Sequence, residues 1–205
     1  MIRPPLGGMA FTEAADGDVR ASRAVRRRVS LELGISEQWA LVRQVHGAAV
    51  IQVNSPGMAG TADALWTAAT DVPIAIMTAD CFGVILTAAE AVGVAHAGWR
   101  GVSAGVVARL RESMTEGGHP PSSAAIGPGI GACCFEVGSD VAQSFSADTR
   151  STTWGTTSVD LQAALQHQLR DIDTWAASAC TRHEPGWFSH RKDGTEKRLA
   201  ALGWI

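Results

Sequence analysis

No apolar run in this 205-residue chain approaches the roughly 18 residues that a membrane-crossing helix requires. Nor does a charged leader followed by a long apolar stretch open it, so a cytoplasmic protein with no membrane partner is expected. Basic stripes are equally scarce. The formal net charge is −3. The arginine cluster Arg23, Arg26, Arg27 and Arg28 falls at helical spacing among mixed neighbours, as on a solvated helix face. A nucleic-acid partner is therefore not expected. A disulfide framework is lacking too. Cys81, Cys133, Cys134 and Cys180 are not spaced like a stapled scaffold, and adjacent Cys133 and Cys134 are poorly placed to bond to each other. Free thiols are the expectation. None of the six histidines stands in an H-x-H pair, and the H-x-E with P-C-x-x-C signature of zinc deaminases does not occur. There is no repeat of solenoid period and no linker that would divide the chain.

What is present reads as globular: 46% of residues are apolar and 18% charged. The length favours one domain over residues 1–205 with a sizeable core. Residues 1–20 give little periodic signal. Residues 22–33 read as a helix closed by Gly34. Residues 39–53 read as two strands around a turn at His46-Gly47, and 54–60 as a loop. A strand is expected over 72–78, then a hairpin of 82–87 and 91–95. Residues 101–114 carry Val102, Val106, Val107 and Leu110 on one helical face. Residues 124–126 form a short strand entering the glycine-rich turn 127–131. A helix over 139–145 is expected to be capped by Ser139 or Asp140. An amphipathic helix spans 158–171, with Leu161, Leu165 and Leu169 aligned. Residues 175–180 suggest a short helix and 198–205 a final strand. Strands, hairpins and peripheral helices together make an α/β or α+β sandwich.

Three segments carry the chemistry: QVHG (44–47), TADC (78–81) and HAGWRG (96–101). Each adjoins a strand-like run and offers a metal donor at its tip: His46, Cys81 and His96. If the 82–95 hairpin turns between Ala88 and Ala89, Cys81 lies opposite His96. Directly opposed β-carbons are about 5 Å apart, a gap that zinc bridges with legs of about 2.3 Å to sulfur and 2.0 Å to nitrogen. His46 joins from its own turn. A fourth position left for water, phosphate or substrate marks a catalytic rather than a structural site.

These segments, with IGPGIGACCFEVG (126–138), strongly resemble the YfiH-like laccase-domain family, historically labelled multicopper polyphenol oxidases. The similarity runs from about Trp39 to Gly138 and resumes at 188–194, FSHRKDG, which resembles the family's FSYRRDG segment. The resemblance implies a single-domain αββα-type sandwich of mixed β-sheets with peripheral helices. It also implies a zinc site made of His46, Cys81 and His96. The implied activity is phosphorolysis of the purine nucleosides adenosine, inosine and methylthioadenosine, with adenosine deaminase activity alongside. The chain departs from the family where Glu13 stands in place of a usual arginine, a change that predicts weak phosphate affinity. It has no tyrosine, so Phe135 and His190 occupy positions where the family carries one.

Phosphorolysis needs an anion site. Arg100 and Arg191 are the candidate phosphate clamps, because guanidinium matches phosphate bidentately; ion pairing is the ordinary alternative for both. Asp80 reads as a base or orienting group, or as a strand-end cap. Gln44 and Glu136 are candidate substrate contacts, and Trp99 reads as a base-stacking platform or as core. Cys133 and Cys134 read as small buried residues, and Cys180 with His183 as structural. Deamination would use zinc-activated water at C6 of adenine. Two rival classes remain. A copper polyphenol oxidase would need more paired histidines than the chain has. A cysteine hydrolase would take Cys81 as nucleophile and His96 as base. The expected assembly is a monomer or small homo-oligomer.

Overall fold

The computed structural model describes residues 1–205. The chain begins with strand β1 (Met9–Phe11) and helix α1 (Arg23–Leu33). The Ser22 hydroxyl accepts from the Val25 N–H at 3.3 Å to start α1, and Gly34 ends it in the left-handed region at φ 71°. Strands β2 (Ala40–Arg43), β3 (Val50–Gln52), β4 (Gly57–Thr61), β5 (Ala64–Thr67), β6 (Ile74–Thr78), β7 (Phe82–Ala88) and β8 (Ala91–Ala97) follow. Next come α2 (Trp99–Ser103), α3 (Val106–Glu116), β9 (Ser123–Ile126) and α4 (Ser139–Ser144). The remainder is β10 (Thr149–Ser151), β11 (Thr157–Val159), α5 (Leu161–Gln168), β12 (Asp173–Ala176), α6 (His190–Asp193) and β13 (Leu199–Gly203).

Two mixed sheets are stacked between helices. One has the order β1-β13-β6-β2-β4, the other β12-β9-β7-β8-β5-β3, and β10 and β11 form a separate ribbon. Alternation along each strand builds the layers. Ile85, Val92 and Val94 of the six-stranded sheet meet Ile74, Ile76 and Phe11 of the five-stranded sheet in the central core. Val84, Leu86 and Ala95 point the other way, against Val107, Leu110 and Met114 of α3 and Leu165 of α5. Beneath the five-stranded sheet, Ala75, Ala200 and Leu202 pack on Val29 of α1 and on Trp39. This is the expected αββα sandwich of mixed sheets.

Several local expectations are corrected. β2 and β3 flank His46 but belong to different sheets, so residues 44–49 cross between layers instead of turning a hairpin. Residues 54–60 are not wholly loop, because β4 pairs in parallel with β2. The helix expected over 101–114 is broken into α2 and α3 by Gly105 at φ 76°. Gly138, not Ser139 or Asp140, occupies the cap of α4, and no side-chain cap bond forms. The helix expected from 158 begins at Leu161, where the Asp160 carboxylate accepts from the Ala163 N–H at 3.0 Å; the preceding residues pair as β11. Residues 173–176 form strand β12, parallel to β9. There Trp175 stacks on Phe11 with ring centroids 6.2 Å apart, and burial of that ring against the sheet prevails over local helix tendency.

The hairpin register also differs. Gly83 lies opposite His96, and Ala88 opposite Ala91, around a two-residue turn at Ala89-Glu90. Continued one residue further, this register puts Cys81 across from Gly98, two places from the expected partner. Gly83 is where the two sheets approach most tightly beside His96: a β-carbon there would lie 2.5 Å from the Ala201 β-carbon. Gly83→Ala is therefore expected to force the sheets apart and cost about 1–3 kcal/mol, read as a lower urea midpoint; an unchanged midpoint would contradict the close packing.

Candidate metal centre and its cleft

Three separate backbone devices bring the donors together. His46 sits in the crossing segment with φ 61°, a left-handed conformation that turns its ring back toward β8. Cys81 follows Asp80, whose φ of 83° makes the sharp turn between β6 and β7. His96 projects from β8 on the face turned toward the other sheet, diagonal to Cys81. The His46 Nδ1 or Nε2, Cys81 Sγ and His96 ring nitrogen all lie within 4.8 Å of one another. The two imidazoles meet edge to face at 4.8 Å between centroids. Gly98 leaves the room they occupy: a β-carbon there would sit 2.9 Å from Cys81 Sγ and 3.1 Å from His46 Cδ2. One thiolate and two imidazoles are a donor set suited to zinc, with a position to spare.

Asp63, absent from the sequence motifs, organises this set. It is fully buried. Its carboxylate accepts from His96 Nδ1 at 2.8 Å and from the backbone N–H groups of His46 at 2.9 Å, Gly47 at 2.6 Å and Val45 at 3.2 Å. Burial alone would push its pKa up, but the His96 ring and the Gly47 and Val45 N–H groups hold it below the usual carboxylate range. With Nδ1–H committed to Asp63, His96 turns Nε2 to the ligand side. A lone aspartate between the apolar residues of Ala62 and Ala64-Leu65-Trp66 was the available signal.

The thiol and imidazole polarise each other. Burial pushes the Cys81 thiol up, yet hydrogen bonds from His46 and His96 bring it down to about 6. Burial pushes His96 down, yet Asp63 and Cys81 raise it to about 9. Without a metal, these opposite shifts favour a thiolate facing an imidazolium near neutral pH.

A cleft of about 760 Å³ opens beside these residues. Six arginines line it, Arg20, Arg26, Arg43, Arg100, Arg191 and Arg198, against one carboxylate, Asp80. Only Arg100 and Arg191 stand out in the sequence; the others become neighbours through the tertiary fold. Arg100 lies over its neighbour Trp99 at 4.3 Å, and Arg191 lies over the Phe135 ring at 5.3 Å. Arg26 Nε is a buried donor without a partner. Glu13 is elsewhere, paired with the Met1 ammonium at 2.7 Å.

The remaining expected site residues fall into two groups. Asp80 is buried beside Cys81, and both of its oxygens are engaged: Thr181 Oγ1 donates at 2.7 Å and the Arg191 N–H at 2.6 Å. Gln44 lines the cleft, but its amide donates to the Met77 carbonyl and accepts from the Met77 N–H, both at 2.8 Å. Glu136 does not line the cleft; its carboxylate takes the Trp154 Nε1–H at 2.9 Å and its carbonyl takes Arg191 at 2.9 Å.

A second group of donors also converges, and within it Cys133, expected to be buried, is only half-buried. Cys133, Cys134, Cys180 and His183 place their donor atoms within 4.8 Å of one another. Burial, then the neighbouring Cys180 and Cys134 sulfurs, push the Cys133 thiol up to about 12. All four cysteines in the chain are unpaired thiols.

Comparison with known proteins covers the whole chain. The sequence model of a family described as multi-copper polyphenol oxidoreductase laccase matches residues 3–205. Purine nucleoside phosphorylase ORF3 of Streptomyces griseus is 35% identical, over 98% of this chain and 88% of its own length. A purine nucleoside phosphorylase of Deinococcus radiodurans is 35% identical over 97% and 83%. Among solved structures, YlmD of Geobacillus stearothermophilus superposes with a TM-score of 0.85 at 29% identity, covering 98% of this chain and 94% of that one. The hypothetical protein YfiH of Bacillus licheniformis shares the fold with a TM-score of 0.86 at 21% identity, over 99% and 98%.

Two outcomes follow from the Asp63–His96–Cys81 relay. Any zinc affinity of the His46, Cys81 and His96 cluster is expected to fall about 10–100-fold in Asp63→Asn, because the supporting hydrogen bond orients the ligand and raises its basicity; competition against a chelator measures it. In metal-stripped protein, Cys81 is expected to react with iodoacetamide down to pH near 6, well below an ordinary thiol. Asp63→Asn moves that inflection upward, since the imidazolium facing the thiolate loses its counter-charge. Mass spectrometry of the Cys81 peptide across pH checks both.

Proposed function

The chain belongs to the multi-copper polyphenol oxidoreductase laccase family, and within it we propose a zinc-dependent purine nucleoside phosphorylase acting on adenosine, inosine and methylthioadenosine. Deamination of adenosine is proposed at the same centre. The observation that carries the reading is the junction of two parts: His46, Cys81 and His96 converge beside a cleft bearing six arginines. Relatives named purine nucleoside phosphorylase across nearly the full chain support it. We take the chain to work as one domain over residues 1–205. It would act in the cytoplasm on small molecules and not on nucleic acid or membrane, as a monomer or small homo-oligomer.

In this reading His46, Cys81 and His96 hold the zinc, and Asp63 orients His96. Zinc bound there supplies Lewis acidity to an oxygen brought against it and lowers the pKa of water. Arg100 and Arg191 bind phosphate, with Arg20, Arg26, Arg43 and Arg198 adding positive charge around it. Held in a partly closed site, the anion is positioned for attack at the sugar, and positioning supplies much of the rate. Trp99 and Phe135 offer aromatic surface to the purine. Asp80, with both oxygens engaged, positions Cys81 and Arg191 and does not serve as a free base. Gln44 and Glu136 contribute through the walls: Gln44 locks β2 to β6, and Glu136 receives Arg191.

The ligand count favours zinc over a multicopper array. Of the other histidines, His119 packs on Trp66 at 5.9 Å between centroids, His167 lies 3.5 Å from Asp148, and His183 joins the second thiol group. His190 lines the cleft, but its Nδ1 faces the Thr195 carbonyl at 3.3 Å. Copper oxidation of phenols is thus the weaker alternative on donor chemistry. The cysteine-hydrolase alternative has a specific observation in its favour, since Asp63, His96 and Cys81 are linked as an acid–base–nucleophile relay. A chelator separates the two: a hydrolase keeps its activity without metal, whereas a zinc enzyme loses both metal and activity.

Purified protein is expected to release the free base from inosine only when phosphate is present. Arg100→Ala is expected to slow phosphorolysis roughly ten- to a hundredfold, the loss of one charge-assisted contact of about 1.5–3 kcal/mol. Deamination of adenosine, which uses no phosphate, is expected to change far less. If inosine and adenosine both stay intact at high phosphate in zinc-loaded protein, the purine reading is wrong.

A further inference from the structure

We propose that Cys133, Cys134, Cys180 and His183 form a second zinc site, closed and structural, that ties the loop after β9 to the loop after β12. The two loops are neighbours because β9 and β12 pair in parallel, Ser123 with Asp173 through Ile126 with Ala176, so both chains leave the sheet at one end. Gly129 then bridges to Cys180, and the Thr181 N–H donates to the Gly129 carbonyl at 3.0 Å. The remaining approach depends on Gly131, where a β-carbon would lie 3.2 Å from the Cys133 sulfur and 3.5 Å from that of Cys180.

The donors are arranged as ligands are. His183 Nδ1 lies 3.4 Å from Cys134 Sγ and 3.5 Å from Cys133 Sγ. The other ring nitrogen, Nε2, is 3.9 Å from the Glu184 carboxylate, the side on which metal-binding histidines are commonly supported. That same carboxylate accepts the Cys180 N–H at 2.8 Å, fixing the turn that presents both Cys180 and His183. Cys180 Sγ accepts the Gly131 N–H at 3.2 Å, a bond that stabilises a thiolate. Around zinc, legs of about 2.3 Å to sulfur and 2.0 Å to nitrogen set donors about 3.5–3.8 Å apart. The four atoms, within 4.8 Å of one another, need only a small contraction. Three sulfurs and one nitrogen fill a tetrahedron, which leaves no position for substrate. Binding replaces three thiol protons, released to solvent, with one dication. Half-exposed Cys133 and exposed His183 give the ion a way in.

The site would stiffen a wall of the cleft. Cys134 precedes Phe135, over which Arg191 lies, and Cys180 precedes Thr181, which donates to Asp80 beside Cys81. Elemental analysis of reduced protein tests the proposal. Wild type is expected to carry two zinc ions per chain, Cys81→Ala one, Cys180→Ser one, and the double variant none. A folded Cys81→Ala protein without zinc overturns the proposal. Zinc in Cys81→Ala that is unaffected by Cys180→Ser does so too. One zinc in wild type that persists in Cys81→Ala but is lost in Cys180→Ser supports this site while removing the first. If Cys180→Ser fails to fold, cobalt-loaded Cys81→Ala decides: an intense thiolate-to-cobalt band with tetrahedral splitting supports the site, and a spectrum of octahedral aqueous cobalt rejects it.

Discussion

The structure around the cleft depends on one buried charge. Asp63 is shut away from water, a placement costly for a carboxylate unless every lone pair is answered. Four donors answer it: the His96 ring and three consecutive backbone N–H groups of the segment that crosses from one sheet to the other. The Asp63 carbonyl also takes the His96 N–H at 2.7 Å. One residue therefore fixes where the chain changes layers, which way the His46 ring turns and which nitrogen His96 presents. Remove the carboxylate and these three settings lose their common reference.

What the sequence made legible was what local chemistry determines. The three donors His46, Cys81 and His96 stood out because each sits at a strand end beside small or acidic residues, and folding gathers all three. α1 was readable from its helical run and the Gly34 that closes it, and β13 from its apolar run. What depends on distant partners was not legible. The hairpin register is set by a two-residue turn at Ala89-Glu90, one place away from the turn assumed, and that moves every opposed pair by two. Trp175 lies in a strand because β9 offers a free edge and Phe11 a stacking face, neither of them near in sequence. The second thiol group joins residues some fifty positions apart, through a parallel pairing that no local pattern announces.

The arginines make the same point in functional terms. Glu13 in the place of a usual arginine predicts weak phosphate affinity. The fold places that glutamate against the Met1 ammonium, and brings Arg20, Arg26, Arg43 and Arg198 to the cleft from both ends of the chain. The charge of the cleft is assembled from six positions, not from one.

That assembly has a kinetic consequence. The chain as a whole is negative, at −3, while the cleft mouth is strongly positive, so the molecule carries its charge unevenly. A positive recess within low-dielectric walls focuses field lines and raises the encounter rate of small anions. An uncharged molecule feels no such pull and arrives by plain diffusion. The field therefore favours encounters with anions over encounters with neutral molecules, and the preference weakens as added salt shortens the reach of the field to about 10 Å at 0.1 M.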